Sequence, residues 1–204
     1  MCMFRLTRLL YLGREEEELN WPWLGVGEIS QKPNTPIGKR KPLEKFRLPS
    51  VTELLLSDDG DKILEGSITN FFVICRKDSN PLMKDHRDEL SVEIYTTPIS
   101  DGVLPGVIRQ LVLEVCSSEG IPVKEISPSW SNRESWQEAF ITNSLRIIQH
   151  VDKIQVPDSW DSLLDNRLEN VSWQEKLFEE APGPFTTMIY EKVMEKAILE
   201  GIPL

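Results

Sequence analysis

Short apolar runs alternate with turn-forming clusters along most of the chain. SVTELLLSDDGDKILEG places strand-like residues on both sides of Asp58-Asp59-Gly60-Asp61 and predicts a β-hairpin. ITNFFVICR, aromatic and β-branched, predicts a buried strand with Phe71, Phe72 and Val73 in the core. KDSNPLMKDHRDEL reads as a polar loop, and SVEIYTTPIS as a further strand ending in a proline turn. The period then changes. A helix is predicted from Pro105-Gly106 to near Gly120, with Val107, Ile108, Leu111, Val112, Val115 and Cys116 as its core stripe.

Further along, IPVKEIS predicts a strand, NRESWQEAF a helical segment, and FITNSLRIIQHVDKIQVP a return to strand and turn. The acidic stretch from Asp158 to Glu180 reads as a loop, with Trp160 and Trp173 as anchors on the domain surface. GPFTTMIYEKVMEKAILEG spaces Phe185, Ile189, Val193 and Ala197 about one helical turn apart, which predicts a terminal docking helix. Together these elements define an α+β, or mixed α/β, core.

The first fifty residues differ. MFRLTRLLYL reads as an amphipathic turn or short helix, four acids follow at Glu15 to Glu18, and Pro22, Pro33 and Pro36 interrupt the path. They have no pattern of an independent domain, so a boundary is expected before residue 50.

Length and charge narrow the classes. The chain of 204 residues suits one ordinary domain. A formal charge of −10 opposes a nucleic-acid footprint, and the basic cluster Lys39, Arg40, Lys41, Lys45 and Arg47 reads as solvated surface. No apolar run reaches the roughly 18 residues of a membrane span. Three scattered cysteines (Cys2, Cys75, Cys116) give no disulfide framework and fit a reducing, intracellular compartment, with cytoplasm and plastid both open. His86 and His150 lack metal-ligand spacing, so no metal site is expected.

Candidate chemistry lies in three segments. Glu65 opens EGSITNFF, and a carboxylate there either orients a heterocycle or serves as an ordinary surface charge. A carboxylate against a pyridine nitrogen favours the protonated ring, the form that best delocalises a carbanion. In SDGVLPGVIRQ the backbone donors of Gly106, Val107 and Ile108 meet a phosphate where the helix begins. Thr142-Asn143-Ser144 offers hydroxyls that either complete such a cradle or bond their own turn.

In that order, EGSITNFF, TTPISDGVLPGVIRQ and EAFITNSLRIIQHV resemble successive motifs in the large domain of fold-type IV pyridoxal-phosphate enzymes, the class IV aminotransferases. The resemblance covers residues 31 to 155, with the large domain extending over 31–204 and residues 1–30 forming an atypical lead. It is nearest to plant branched-chain-aminotransferase-like and D-amino-acid-aminotransferase-like proteins. It implies the large C-terminal domain of the D-amino-acid-aminotransferase-like fold and pyridoxal 5′-phosphate as cofactor. Glu65 then faces the pyridine nitrogen, the Val107 and Ile108 amides at the Gly106 turn bind phosphate, and Ser144 supplies a phosphate-facing hydroxyl. Ile108 replaces a threonine frequent in the family, a change that leaves backbone donation intact.

The resemblance also implies a cofactor-bearing lysine slightly over thirty residues before the glutamate. Lys32 stands at that distance, with Lys39 and Lys41 as the alternatives. The implied reaction is amino-group transfer between a branched-chain or D-amino acid and a 2-keto acid, in a homo-oligomer. The family's small domain, over a hundred residues long, has only the short lead in its place, so a truncated chain is expected. Two other functions stay open: an inactive homologue acting as a binding or dimerising module, and an aminodeoxychorismate lyase-like enzyme, which TNSL also resembles.

Overall fold

The computed structural model describes residues 2–6, 9–11, 51–76, 92–158 and 172–199. Eleven strands and two longer helices are present among them: β1 (Cys2–Leu6), β2 (Leu9–Tyr11), β3 (Glu53–Ser57), β4 (Ile63–Gly66), β5 (Asn70–Arg76), β6 (Val92–Thr96), α1 (Val107–Ser118), β7 (Val123–Glu125), β8 (Trp136–Asn143), β9 (Ile147–Val151), β10 (Lys153–Pro157), β11 (Trp173–Leu177) and α2 (Pro184–Leu199). One sheet has the order β11-β10-β1-β3-β4 and the other β2-β9-β8-β5-β6-β7. The architecture is mixed α/β.

The layers follow from the alternation of side chains along β5. Phe72 and Ile74 point into a core shared with Ile108, Leu111, Val112 and Val115 of α1 and Ile189, Val193 and Ala197 of α2. Phe71, Val73 and Cys75 point into a second core with Leu55, Ile63, Trp136, Ile141 and Ile154. The six-stranded sheet is therefore covered on both faces, and β5 is correspondingly apolar from Phe71 to Cys75. Rings reinforce both cores: Phe72 stacks on Phe140 at 4.9 Å, and Phe71 meets Trp136 edge-on at 6.2 Å. The one parallel pair among the described residues, β6 with β7, is joined through α1, as parallel neighbours require a crossover.

Three expectations are corrected. Residues 2–6 form a strand between β3 and β10, and residues 9–11 a strand beside β9, where an amphipathic turn or short helix was expected. A run that short satisfies both periods, and hydrogen bonding from neighbouring strands decides between them. In NRESWQEAF the helical reading holds only as a 3-10 turn over Trp130–Ser135; Trp136 onward enters β8, between β5 and β9. The Glu, Gln and Ala content favours helix, and strand pairing on both sides overrides it. Within the acidic stretch read as loop, Trp173–Leu177 is an edge strand against β10. Its charged, half-exposed pattern is that of a protected sheet edge. Trp160, the 77–91 loop and residues 12–50 lie outside the described residues.

Both helix starts are built by the tertiary structure. At α2 the Glu138 carboxylate of β8 accepts the N–H groups of Phe185 at 3.2 Å and Thr186 at 2.8 Å. A Cβ on Gly183 would fall 2.1 Å from the Glu138 carboxyl carbon, so glycine is needed there for space. At α1 the N-cap is Gly106, which has no side chain to offer.

Candidate functional site

The segment 65–70 is the corner at which the chain leaves one sheet for the other. Glu65 is the next-to-last residue of β4 in the five-stranded sheet, and Asn70 begins β5 in the six-stranded sheet. Between them the Gly66 N–H donates to Thr69 O at 2.8 Å, closing the turn. A Cβ on Gly66 would lie 1.9 Å from Thr69 Oγ1, so the close approach demands glycine. The buried Glu53 carboxylate accepts both the N–H and the hydroxyl of Ser67, at 2.8 and 2.5 Å, and ties the turn to β3.

This corner grips the segment before α1. Glu65, 2% exposed, accepts the Leu104 N–H on Oε2 at 2.8 Å. Asn70, 4% exposed, donates from Nδ2 to Leu104 O at 2.7 Å. The backbone groups of one residue are thus held by side chains from two sheets. The Gly106 N–H also returns to Leu104 O at 2.9 Å, giving the 104–106 turn its shape.

At the next residue, Val107, α1 begins. The first N–H groups of a helix have no carbonyl one turn earlier to receive them, and Gly106 provides no side-chain cap. Opposite lies the β8–β9 hairpin loop. Asn143 Oδ1 accepts the N–H groups of Leu145 and Arg146 at 3.0 and 2.8 Å, fixing the loop internally. Ile147 closes it at φ 59°, a left-handed conformation that a β-branched side chain enters only where its surroundings enforce it. The loop thereby carries Ser144 to the surface beside the α1 start.

A pocket of about 320 Å³ lies between these parts, walled by Asn70, the Gly106–Ile108 turn and Thr142 to Ser144, with Ile68 at its edge. Thr142 Oγ1 is buried in that wall without a hydrogen-bond partner among the described residues. An uncapped helix start, a hydroxyl-bearing loop and an unspent buried hydroxyl form a donor set suited to an anion such as a phosphate group. The residues present fit the phosphate end of pyridoxal phosphate.

The structure brings together Gly106, Val107, Ile108 and Ser144 at this pocket, while Glu65 lies behind it, linked through Leu104. Lys32, with Lys39 and Lys41, lies outside the described residues. Val107 departs from the expected core stripe and is 58% exposed. At the first helical position its side chain leans toward the N-terminus, past the sheet and toward the pocket mouth.

Arg109 takes an interior place instead. Its guanidinium, 1% exposed, donates through Nη2 to Thr97 O at 3.0 Å and pairs with Glu125 at 2.6 Å. Neither Asn70 nor Arg109 stood out in sequence. The available signals were a polar side chain opening the most apolar run and a charge set inside an apolar helical stripe.

Comparison with known proteins gives the class. Residues 45–154, more than half of the chain, match the family model for amino-transferase class IV, and the chain belongs to that family. A D-alanine aminotransferase of Listeria innocua serovar 6a is 23% identical over 158 residues, covering 76% of this chain and 47% of the relative. The chain spans about half the length of the curated relatives it matches. The PLP-bound form of a hypothetical aminotransferase from Mycobacterium tuberculosis shares the fold at TM-score 0.54 and 11% identity, over 81% of this chain and 46% of that one. A fold IV-transaminase from Curtobacterium pusillum does so at TM-score 0.50 and 12% identity, over 81% and 44%. Class IV aminotransferases as a family carry out pyridoxal-phosphate-dependent amino transfer. Among the described residues no helix is long and apolar enough to cross a membrane.

Proposed function

We propose that this chain holds pyridoxal 5′-phosphate and serves amino-group transfer between an amino acid, of the branched-chain or D class, and a 2-keto acid, as part of a homo-oligomer. The observation that supports it most is the convergence of the uncapped α1 start, the Ser144 loop and the unpartnered Thr142 hydroxyl on one pocket. The likeness to D-alanine aminotransferase supports the D-amino acid side of the substrate class.

When bound, pyridoxal phosphate supplies an electron-withdrawing ring that stabilises the negative charge left as a substrate α-proton departs. In this reading Val107 and Ile108 donate their backbone N–H groups to the phosphate, and Ser144 adds a hydroxyl. These donors need no protonation change, so the grip persists across neutral pH. Glu65, buried and bonded to the Leu104 N–H, would face the ring nitrogen and favour its protonated form. Lys32 would be the residue that holds the cofactor, and its amine would carry the proton to and from the substrate α-carbon.

Reconstitution with pyridoxal phosphate tests this directly. The folded chain should gain a visible absorption band that Lys32→Ala abolishes. A chain shown to be folded by circular dichroism that gains no band would overturn the reading. It would leave a family-fold module that binds or dimerises without cofactor chemistry. Release of a 2-keto acid with stoichiometric formation of the amino form of the cofactor would distinguish transfer from lyase cleavage.

A further inference from the structure

We propose that Asn70 is the positioning residue that sets the phosphate-binding turn, by locking the inter-sheet corner to Leu104 and fitting its side-chain oxygen against the bare Cα of Gly106. The inference rests on the cofactor reading above and deepens it.

Three observations meet at this side chain. Asn70 Nδ2 donates to Leu104 O at 2.7 Å, the carbonyl that also receives the Gly106 N–H at 2.9 Å. Asn70 Oδ1 would stand 2.3 Å from a Cβ on Gly106, far inside contact distance. Asn70 is also the direct cross-strand partner of Thr142, and both line the pocket. Asn70 therefore reaches the turn before α1 and the helix start through its amide, and pairs through its backbone with the strand that ends in the Ser144 loop.

The glycine at 106 then has a definite reason. Its φ of −66° is open to any residue, so left-handed freedom is not why glycine stands there. Space is the reason: the Asn70 amide occupies the volume a side chain would fill. Removing the amide both frees that volume and leaves Leu104 O one donor short. The α1 start then shifts relative to the Thr142–Ser144 loop, and the two halves of the cradle lose register. Glu65 still holds the Leu104 N–H, so the ring end of the site keeps its anchor.

The role is separable from general stability because it acts on the phosphate and not on the ring. The probes are pyridoxal 5′-phosphate and pyridoxal, which differ by the phosphate alone, titrated against the full chain. Wild type should bind the phosphate form far more tightly. Asn70→Ala should reduce that preference about tenfold or more, the effect of a lost buried hydrogen bond, while binding pyridoxal as wild type does. Asn70→Asp keeps the shape, replaces the donor by an acceptor facing Leu104 O, and adds negative charge beside the cradle; it should reduce the preference further.

Gly106→Ala should abolish the preference in the wild-type background yet cost little in the Asn70→Ala background, because the volume is already vacant. Additive losses in that cycle would refute the packing part of the proposal. An unchanged phosphate preference in folded Asn70→Ala and Asn70→Asp would refute the positioning role altogether. Failure of wild type to prefer the phosphate form would instead refute the cofactor reading on which both stand.

Discussion

The two helices begin in opposite ways. The start of α2 is plugged from inside: Glu138 extends from β8, accepts two amides, and occupies the space Gly183 leaves. The start of α1 carries the same backbone donors and the same partial positive charge, yet its cap is a glycine without a side chain and a pocket lies before it. In the first case the protein provides its own anion and gains stability. In the second the donors are held in place by Glu65 and Asn70, which bind the turn from behind and leave its front to a ligand.

The contrast is broken most forcefully at Glu138. Glu138→Ala removes a buried carboxylate that accepts two amides and should destabilise the fold by about 2–3 kcal/mol. Thermal unfolding checks this, and pyridoxal phosphate should still bind the folded fraction with wild-type affinity. A parallel loss of affinity would show that the two helix starts are not independent. Thr142→Val acts in the opposite sense. Deleting a buried hydroxyl that has no partner among the described residues should raise stability by about 1 kcal/mol. The same substitution should weaken pyridoxal phosphate binding about tenfold. A stabilised protein with unimpaired binding would mean that Thr142 contributes nothing to the cradle.

A third comparison uses the β3–β4 turn, where polar groups are again spent internally. Burial pushes the Asp61 carboxyl up, but hydrogen bonds from Ser129 and Ser131 outweigh it and hold the carboxyl below its ordinary value of 3.8. Burial likewise acts on Asp59, and the N–H groups of Lys62 and Asp61 with the Ser57 hydroxyl bring it below 3.8. A depressed folded value means that the contribution is fully present above 3.8 and is lost as pH falls through the lower, folded value. Acid unfolding of Asp61→Asn should therefore show a shallower decline in stability below pH 3.8 than wild type.

The smallest effect concerns the core under α1. Burial pushes the Cys116 thiol up to about 12, and Cys75 is also raised, chiefly by burial. Neither should alkylate at neutral pH until the chain unfolds, which mass mapping of iodoacetamide adducts would read. Early labelling of Cys116 would mean that α1 opens locally, and with it the phosphate turn.

Much of this was legible in the sequence for a physical reason. The hairpin at Asp58 to Asp61, the buried β5 and the α1 helix are declared by local period and by turn residues that act within a few positions. The pieces of the site were legible as chemistry: a helix start behind glycine, a short hydroxyl-rich turn, and a carboxylate opening a glycine turn. The strand state of residues 2–6 and 9–11 was not legible, since its hydrogen bonds come from β3, β9 and β10, far away in sequence. Arg109 was hidden for the same reason: its partners are Thr97, the residue after β6, and Glu125, the last of β7, at either end of the connection that contains α1. Val107 was assigned to the core by period alone, although the helix only begins there and the side chain is exposed.

The sequence by itself determined the β3–β4 hairpin, β5, α1 and the residue types at the candidate cradle, because these depend on local period and turn residues, and its ordered motifs carried the resemblance to the family. The tertiary structure alone decided which helix start is plugged and which is open. That outcome depends on whether a side chain from a distant strand arrives at the first turn: Glu138 does so at α2. At α1 the side chain that arrives, Asn70, binds the turn from behind and stops at the edge of the pocket.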